Sequence, residues 1–190
     1  MTDAPLILGF DTSGPYCAAA LLRGEVLLAE TGEDMARGQA ERLMGLLEDV
    51  LRGQGCDWRD LDALAVGTGP GNFTGIRIGV SAARGLALGL GIPAYGVTGF
   101  EARARLAPKG STVTVPAPRD MVYVLEDGAA RQIPAQDVDS APAPLPAHLA
   151  RAIALHACSQ WPTRPPAPAP FYARPPDAAP ARDAPPRVLP

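Results

Sequence analysis

One stretch constrains the fold of this chain more than any other. The apolar run 61–66 ends in Gly67-Thr-Gly-Pro-Gly-Asn, and a helical pattern follows over residues 74–90. A buried strand, a tight glycine loop and a helix, in that order, predict α/β architecture. The loop also offers a candidate anion cradle, because free backbone N–H groups point out of a helix N-terminus. Its glycines at 67, 69, 71 and 75 match neither Gly-x-Gly-x-x-Gly nor the Gly-Lys-Ser/Thr of a P-loop. A tight structural turn is therefore favoured over bound phosphate.

The segments around it extend the pattern. Residues 6–11 predict a strand running into Asp11-Thr12-Ser13. Residues 17–22 and 25–30 predict two strands joined by an Arg23-Gly24 hairpin. Residues 36–52 predict a helix with Ala36, Ala40, Leu43, Leu47, Val50 and Leu51 on one side, stopped by Gly53 and Gly55. Residues 94–97 predict a fifth strand and 99–106 a third helix. The order is βββαβα followed by one more strand and one more helix. Beyond Lys109 come short strands at 112–115, 121–126 and 129–133, the last two joined by Asp127-Gly128. A helix at 146–159 follows, with proline in its first turn. All but one of the 20 glycines lie at or before Gly110, and 15 of the 22 prolines at or after Pro134. Residues 161–190, rich in Pro, Ala and Arg, are expected to be an extended, poorly packed tail.

Composition narrows the function classes. With 190 residues and a net charge of -3, the chain is not expected to hold nucleic acid by its own basic surface. Cys17, Cys56 and Cys158 have no Cys-x-x-Cys spacing, which fits neither a disulfide scaffold nor a four-cysteine zinc site and suits a reducing cytosol. The first residues carry an acid and no basic region, so no signal peptide is expected. No apolar run is long enough for a membrane span. His148 and His156 have no carboxylate between them, so no metal site is expected. No Ser/His/Asp set or His-Glu-x-x-His appears, and no catalytic residue is assigned.

Two features stand out. In the helix 74–90, Thr74, Arg77, Ser81 and Arg84 form one narrow polar stripe, and the remaining surface is apolar or small. A helix lying on one sheet needs a single apolar side, and this one could be covered twice. Gly75, Gly79 and Ala83 fall four apart, where a second helix could approach. Burial within the chain and a partner helix weigh evenly. The second feature is Asp11-Thr12-Ser13, where loop capping is favoured over a metal-bound water or phosphate.

These residues resemble a known family. Leu8-Gly-Phe-Asp-Thr-Ser, the Gly24 hairpin, and above all Gly67-Thr-Gly-Pro-Gly-Asn-Phe-Thr-Gly-Ile-Arg-Ile-Gly are similar to the bacterial TsaB (YeaZ) family. That family's pattern is Gly-Pro-Gly-Ser-Phe-Thr-Gly-Leu/Val-Arg-Ile-Gly, with Asn72 here in place of serine. The match continues through Gly85-Leu-Ala and Ile92-Pro to Thr98, and covers residues 6–107. Beyond it, Arg119-Asp-Met-Val-Tyr-Val and Pro170-Phe-Tyr-Ala-Arg174 resemble worn family segments, and Ala117 stands where an acid is usual.

The resemblance implies an actin/Hsp70-like ATPase (ribonuclease H-like) fold. Residues 1–108 would be the first lobe, 109–160 an abbreviated second lobe and 161–190 the tail. It implies a non-catalytic subunit that binds TsaD, the enzyme placing threonylcarbamoyl on adenosine 37 of tRNAs reading ANN codons. TsaE would join as an ATPase, so ATP and Mg would belong to the complex and no cofactor to this chain. The tRNA would be met through the complex, a homodimer could form on the same surface, and the location would be cytoplasmic. The partner surface is placed on Leu43, Met44, Leu47, Gly75, Gly79, Ala82, Ala83 and Leu86. The rival reading is an ATP-binding kinase or hydrolase of the same fold, using Asp11, Thr12, Ser13, Gly69 and Gly71. A metalloprotease would need ligands that the sequence does not offer.

Overall fold

In the computed structural model, which describes residues 4–173, β1 (Leu6–Asp11) lies in the middle of a five-stranded mixed sheet. The order is β3-β2-β1-β4-β5, with β2 (Tyr16–Arg23), β3 (Val26–Asp34), β4 (Ala63–Gly67) and β5 (Ala94–Val97). The first three strands pair antiparallel, which a hairpin turning at Gly24 (φ 57°) permits. β4 and β5 run parallel to β1 and need longer crossovers, supplied by α1 (Gln39–Gly53) and α2 (Phe73–Leu90). The βββαβα order read from the sequence is present. α1 begins three residues later than expected, because Gly38 turns the chain in a left-handed conformation (φ 93°). α3 (Gly99–Ala104) follows β5, with Thr98 and Glu101 forming a reciprocal cap at its start.

Both faces of the sheet are covered. Leu6, Leu8, Phe10, Cys17, Ala19, Leu21, Leu64 and Val66 meet α1 and α2. Ile7, Ala18, Ala20, Leu22, Ala63 and Ala65 meet α3 and α4 (Pro146–Gln160). This second face corrects the expected lobe boundary. The helix assigned to the second lobe lies instead on the first sheet. The reason is size: the face is rich in alanine, and so is α4, through Ala150, Ala152, Ala154 and Ala157. Close approach follows. A Cβ on Gly9 would stand 2.7 Å from the Ala150 carbonyl oxygen and 2.8 Å from the Ala154 nitrogen.

What remains of the second lobe is a three-stranded antiparallel sheet, β6 (Val115–Ala117), β7 (Met121–Glu126) and β8 (Ala129–Pro134). β6 starts later than the strand expected at 112–115. Thr112 instead makes an isolated bridge to Ser140. Asp127 (φ 49°) and Gly128 (φ 80°) both turn left-handed, as a two-residue hairpin requires.

The tail is also corrected, as far as residue 173. Pro168 is buried, and its Cβ would sit 3.1 Å from a Cβ placed on Gly96 of the sheet's edge strand. The Phe171 amide donates to the Thr68 carbonyl at 2.7 Å, and the Tyr95 hydroxyl donates to the Thr163 carbonyl. Phe171 meets Phe100 edge-on at 6.3 Å, and Tyr172 stacks on Phe73 at 4.7 Å. Residues 161–173 thus form a strap over the β5 edge. Its prolines cannot donate to a ladder, so apolar contacts and a few hydrogen bonds hold it. Arg174, at the end of the family-like Pro-Phe-Tyr-Ala-Arg segment, lies outside the described residues.

Candidate functional site

β1 delivers Asp11 to the end of the sheet, where it is only 3% exposed. One carboxylate oxygen accepts from the Ser13 amide at 2.9 Å. The other accepts from the Ser13 hydroxyl at 3.0 Å and the Tyr16 hydroxyl at 2.7 Å. Burial, reinforced by the Asp11 carboxylate, pushes the Tyr16 phenol far above its ordinary range, so it stays a donor. The Thr12 hydroxyl donates to the Gly75 carbonyl at 2.7 Å, and the Asn72 amide donates to the Ser13 carbonyl at 2.6 Å. Asn72 caps α2 by accepting from the Gly75 amide at 2.9 Å.

The glycines of the loop face this turn. A Cβ on Gly67 would overlap the Asp11 carboxylate, one on Gly71 the Ser13 carbonyl, and one on Gly75 the Thr12 carbonyl. Gly79 approaches the Thr12 hydroxyl at 2.7 Å, measured from an added Cβ. Gly69 is left-handed (φ 95°), and its carbonyl accepts from the Gly99 amide at 2.7 Å. The space read as an anion cradle is filled by the chain's own loop. Asp11, Thr12, Ser13, Gly69 and Gly71 are brought together, but they bond to one another.

A cleft of about 290 Å³ opens between this loop and β6–β7, with Arg103 the one cation among the described residues that line it and Tyr16, Asn72 and Tyr123 among its walls. The residues do not fit a metal-bound nucleotide. The carboxylate that would hold a cation or its water is buried beneath Tyr16 and takes three protein hydrogen bonds. Among the described residues no group of three or more His, Cys, Asp or Glu could hold a metal ion. The two histidines stand apart, His148 facing Glu30 at 3.7 Å and His156 facing Glu101 at 3.8 Å.

The proposed partner surface divides in two. Leu43, Leu47, Gly75, Gly79 and Ala83 are buried in the chain's own core and are not available to a partner. Met44 is 38% exposed, and Ala82 and Leu86 are half-buried on the outward side of the α1–α2 layer. The sequence reading missed three neighbours there. Ile78 is half-buried, and Gly85 and Gly89 are exposed with nothing within 4 Å of an added Cβ. Glycine inside an exposed helix costs up to about 1 kcal/mol relative to alanine. Close packing on Thr12 explains Gly75 and Gly79. Among the described residues no packing contact requires a glycine at 85 or 89.

Comparison with known proteins matches the same framework. The TsaD family model, described as tRNA N6-adenosine threonylcarbamoyltransferase, matches residues 31–169. The TsaB protein of Escherichia coli K12 is 40% identical over 92 residues, 48% of this chain and 39% of that protein. An uncharacterized protein of Mycobacterium tuberculosis H37Rv is 34% identical over 92% of this chain and 94% of its own length. In Pseudomonas aeruginosa, a crystal structure of an uncharacterized protein with similarity to peptidase YeaZ superposes with a TM-score of 0.71. It shares 25% identity and covers 90% of this chain and 100% of that one. The chain belongs to the TsaB/YeaZ family.

The chain's match spans only about two fifths of the curated TsaB relatives from E. coli and Haemophilus influenzae, 39% and 42% of their lengths. Within the TsaB/YeaZ frame the fold is ribonuclease H-like, built on the mixed sheet. The family motif also acquires a physical meaning. Its Gly71, Gly75 and Gly79 are crowded by Thr12 and Ser13 and its Gly69 by Ile76 and the Phe171 carbonyl, and its arginine, Arg77, lies 3.9 Å over the Phe73 ring. No helix of the described residues is long and apolar enough to cross a membrane.

Proposed function

We propose that this chain is a non-catalytic scaffold subunit for N6-threonylcarbamoylation of adenosine 37 in tRNAs reading ANN codons, and that it acts by binding TsaD. The observation that carries this reading is the outward side of the α1–α2 layer. Gly85 and Gly89 leave room for a second helix, and Met44, Ala82 and Leu86 supply apolar surface around them. The names of the TsaB relatives supply the pathway. The internal hydrogen bonding of Asp11 supports a subunit without chemistry of its own. On this reading TsaE joins the assembly, ATP and Mg act there, and tRNA is met through the complex in the cytoplasm. A homodimer uses the same surface when TsaD is absent.

Reconstitution tests it. TsaD, TsaE, the threonylcarbamoyl-AMP synthase, ATP and unmodified tRNA are combined with and without this chain, and the modified nucleoside is measured by mass spectrometry. Product should form only when the chain is present, and the chain alone should bind no Mg-ATP. Full activity without it, or modification by the chain alone, would refute the scaffold reading.

A further inference from the structure

The outward surface of α2 has a second side, turned about 160° around the helix from Ala82 at 100° per residue. There, Arg77, Arg84 and Arg164 border two adjoining hollows of about 470 and 590 Å³ between α2 and the strap. Among the described residues no carboxylate lines either hollow, and α2 contains no acidic residue. None of the three guanidinium groups forms an ion pair among the described residues. Arg77 is fixed by the Tyr172 hydroxyl at 3.0 Å and the Phe73 ring. The larger hollow is apolar, with Ala87, Ile92 and Pro168 in its walls. Leu88, at its rim, is 86% exposed.

We propose that this groove docks a segment of a protein partner in which a large apolar side chain is flanked by carboxylates. The apolar side chain covers Leu88 and fills the larger hollow. The carboxylates pair with Arg84 and Arg164, whose planar guanidinium groups suit them. Charge and surface together select this occupant. A nucleic-acid backbone would gain nothing from the apolar walls. The Tyr172 ring is already stacked on Phe73, which leaves it less free to stack a base. The groove adjoins the proposed TsaD-binding surface at Gly85, which lines the larger hollow, but the proposal is carried by Arg84, Leu88 and Arg164, which lie outside that surface.

The test is fluorescence anisotropy on the full chain, with a labelled peptide of repeated Glu-Leu-Glu as probe. The peptide should bind saturably. Binding should weaken at least about tenfold when its Glu residues become Gln, in an Arg84→Glu/Arg164→Glu double variant, and in Leu88→Glu. Arg59→Glu, exposed elsewhere, should leave binding unchanged. No saturable binding, or equal binding by the charge-reversed variant, overturns the proposal. An oligouridylate that outcompetes the peptide would assign the groove to nucleic acid instead. Tighter peptide binding by an Asp177→Asn/Asp183→Asn variant would seat the chain's own C-terminal segment there. Self-association that is lost in the Arg84→Glu/Arg164→Glu variant would seat a second copy. Each of these three results also overturns it.

Discussion

Thr12 and Gly75 are locked together twice. The Thr12 hydroxyl donates to the Gly75 carbonyl at 2.7 Å, and the Gly75 Cα sits so close to the Thr12 carbonyl that no side chain fits. This contact fastens the turn after β1 to the first turn of α2. It gives the glycine loop a structural role in place of a ligand.

Two glycine-to-alanine changes on one helix should therefore move stability in opposite directions. Gly75→Ala drives a methyl group into backbone and should cost about 3 kcal/mol. Gly85→Ala meets nothing and should stabilise by about 0.5–1 kcal/mol. Urea denaturation of the two variants reads both signs. A neutral Gly75→Ala would contradict the packing of Thr12 on α2.

Asp11 should act on stability and not on chemistry. Tyr16→Phe removes one of its three donors within a buried site and should cost about 2 kcal/mol. Asp11→Ala leaves all three donors without their acceptor and should cost more. Equilibrium unfolding is the measurement. An Asp11→Ala protein as stable as the wild type would reopen a binding role for the carboxylate.

The strap should be part of the fold. Phe171→Ala removes the edge-on contact with Phe100 and should cost about 2 kcal/mol. Amide exchange along β5 should speed up with it. Unchanged exchange at Tyr95 and Val97 would show that residues 161–173 do not protect this edge.

His156 gives a pH signature. Burial holds its imidazole below the ordinary 6.5, against the pull of Glu101. The unfolded chain then binds more protons than the folded one below pH 6.5. This contribution is complete above 6.5 and is lost as pH falls toward the folded value. The melting temperature of the wild type should fall over that window, and His156→Gln should flatten the dependence. An NMR titration placing the His156 midpoint above 6.5 would reverse the sign.

The sequence exposed the first sheet because its signals are local. Apolar runs, the Gly24 hairpin and the glycine loop each report on their own few residues. It did not decide which side of α2 faces the sheet. The wheel shows two apolar sides and carries no information on which one meets Thr12, so it does not reveal that Gly75, Gly79 and Ala83 face inward. The sequence does not reveal that α4 lies on the first sheet, because its partners, Gly9 of β1 and the alanines of β2 and β4, are distant in the chain. Composition predicts an unpacked tail because it does not reveal Pro168 against Gly96 or Phe171 against Phe100. The signal that could have found the exposed surface was the pair Gly85 and Gly89, helical glycines with no obvious internal use.

The most direct test of the account is assembly itself. The chain is co-expressed with the TsaD of its own organism, as wild type and as Gly85→Arg, and complexes are sized by chromatography with light scattering. The account predicts a stable heteromer for the wild type. It predicts none for Gly85→Arg, whose melting temperature should be undiminished because the site opens to solvent. A wild-type chain that stays apart from TsaD, or a Gly85→Arg chain that assembles normally, would contradict it.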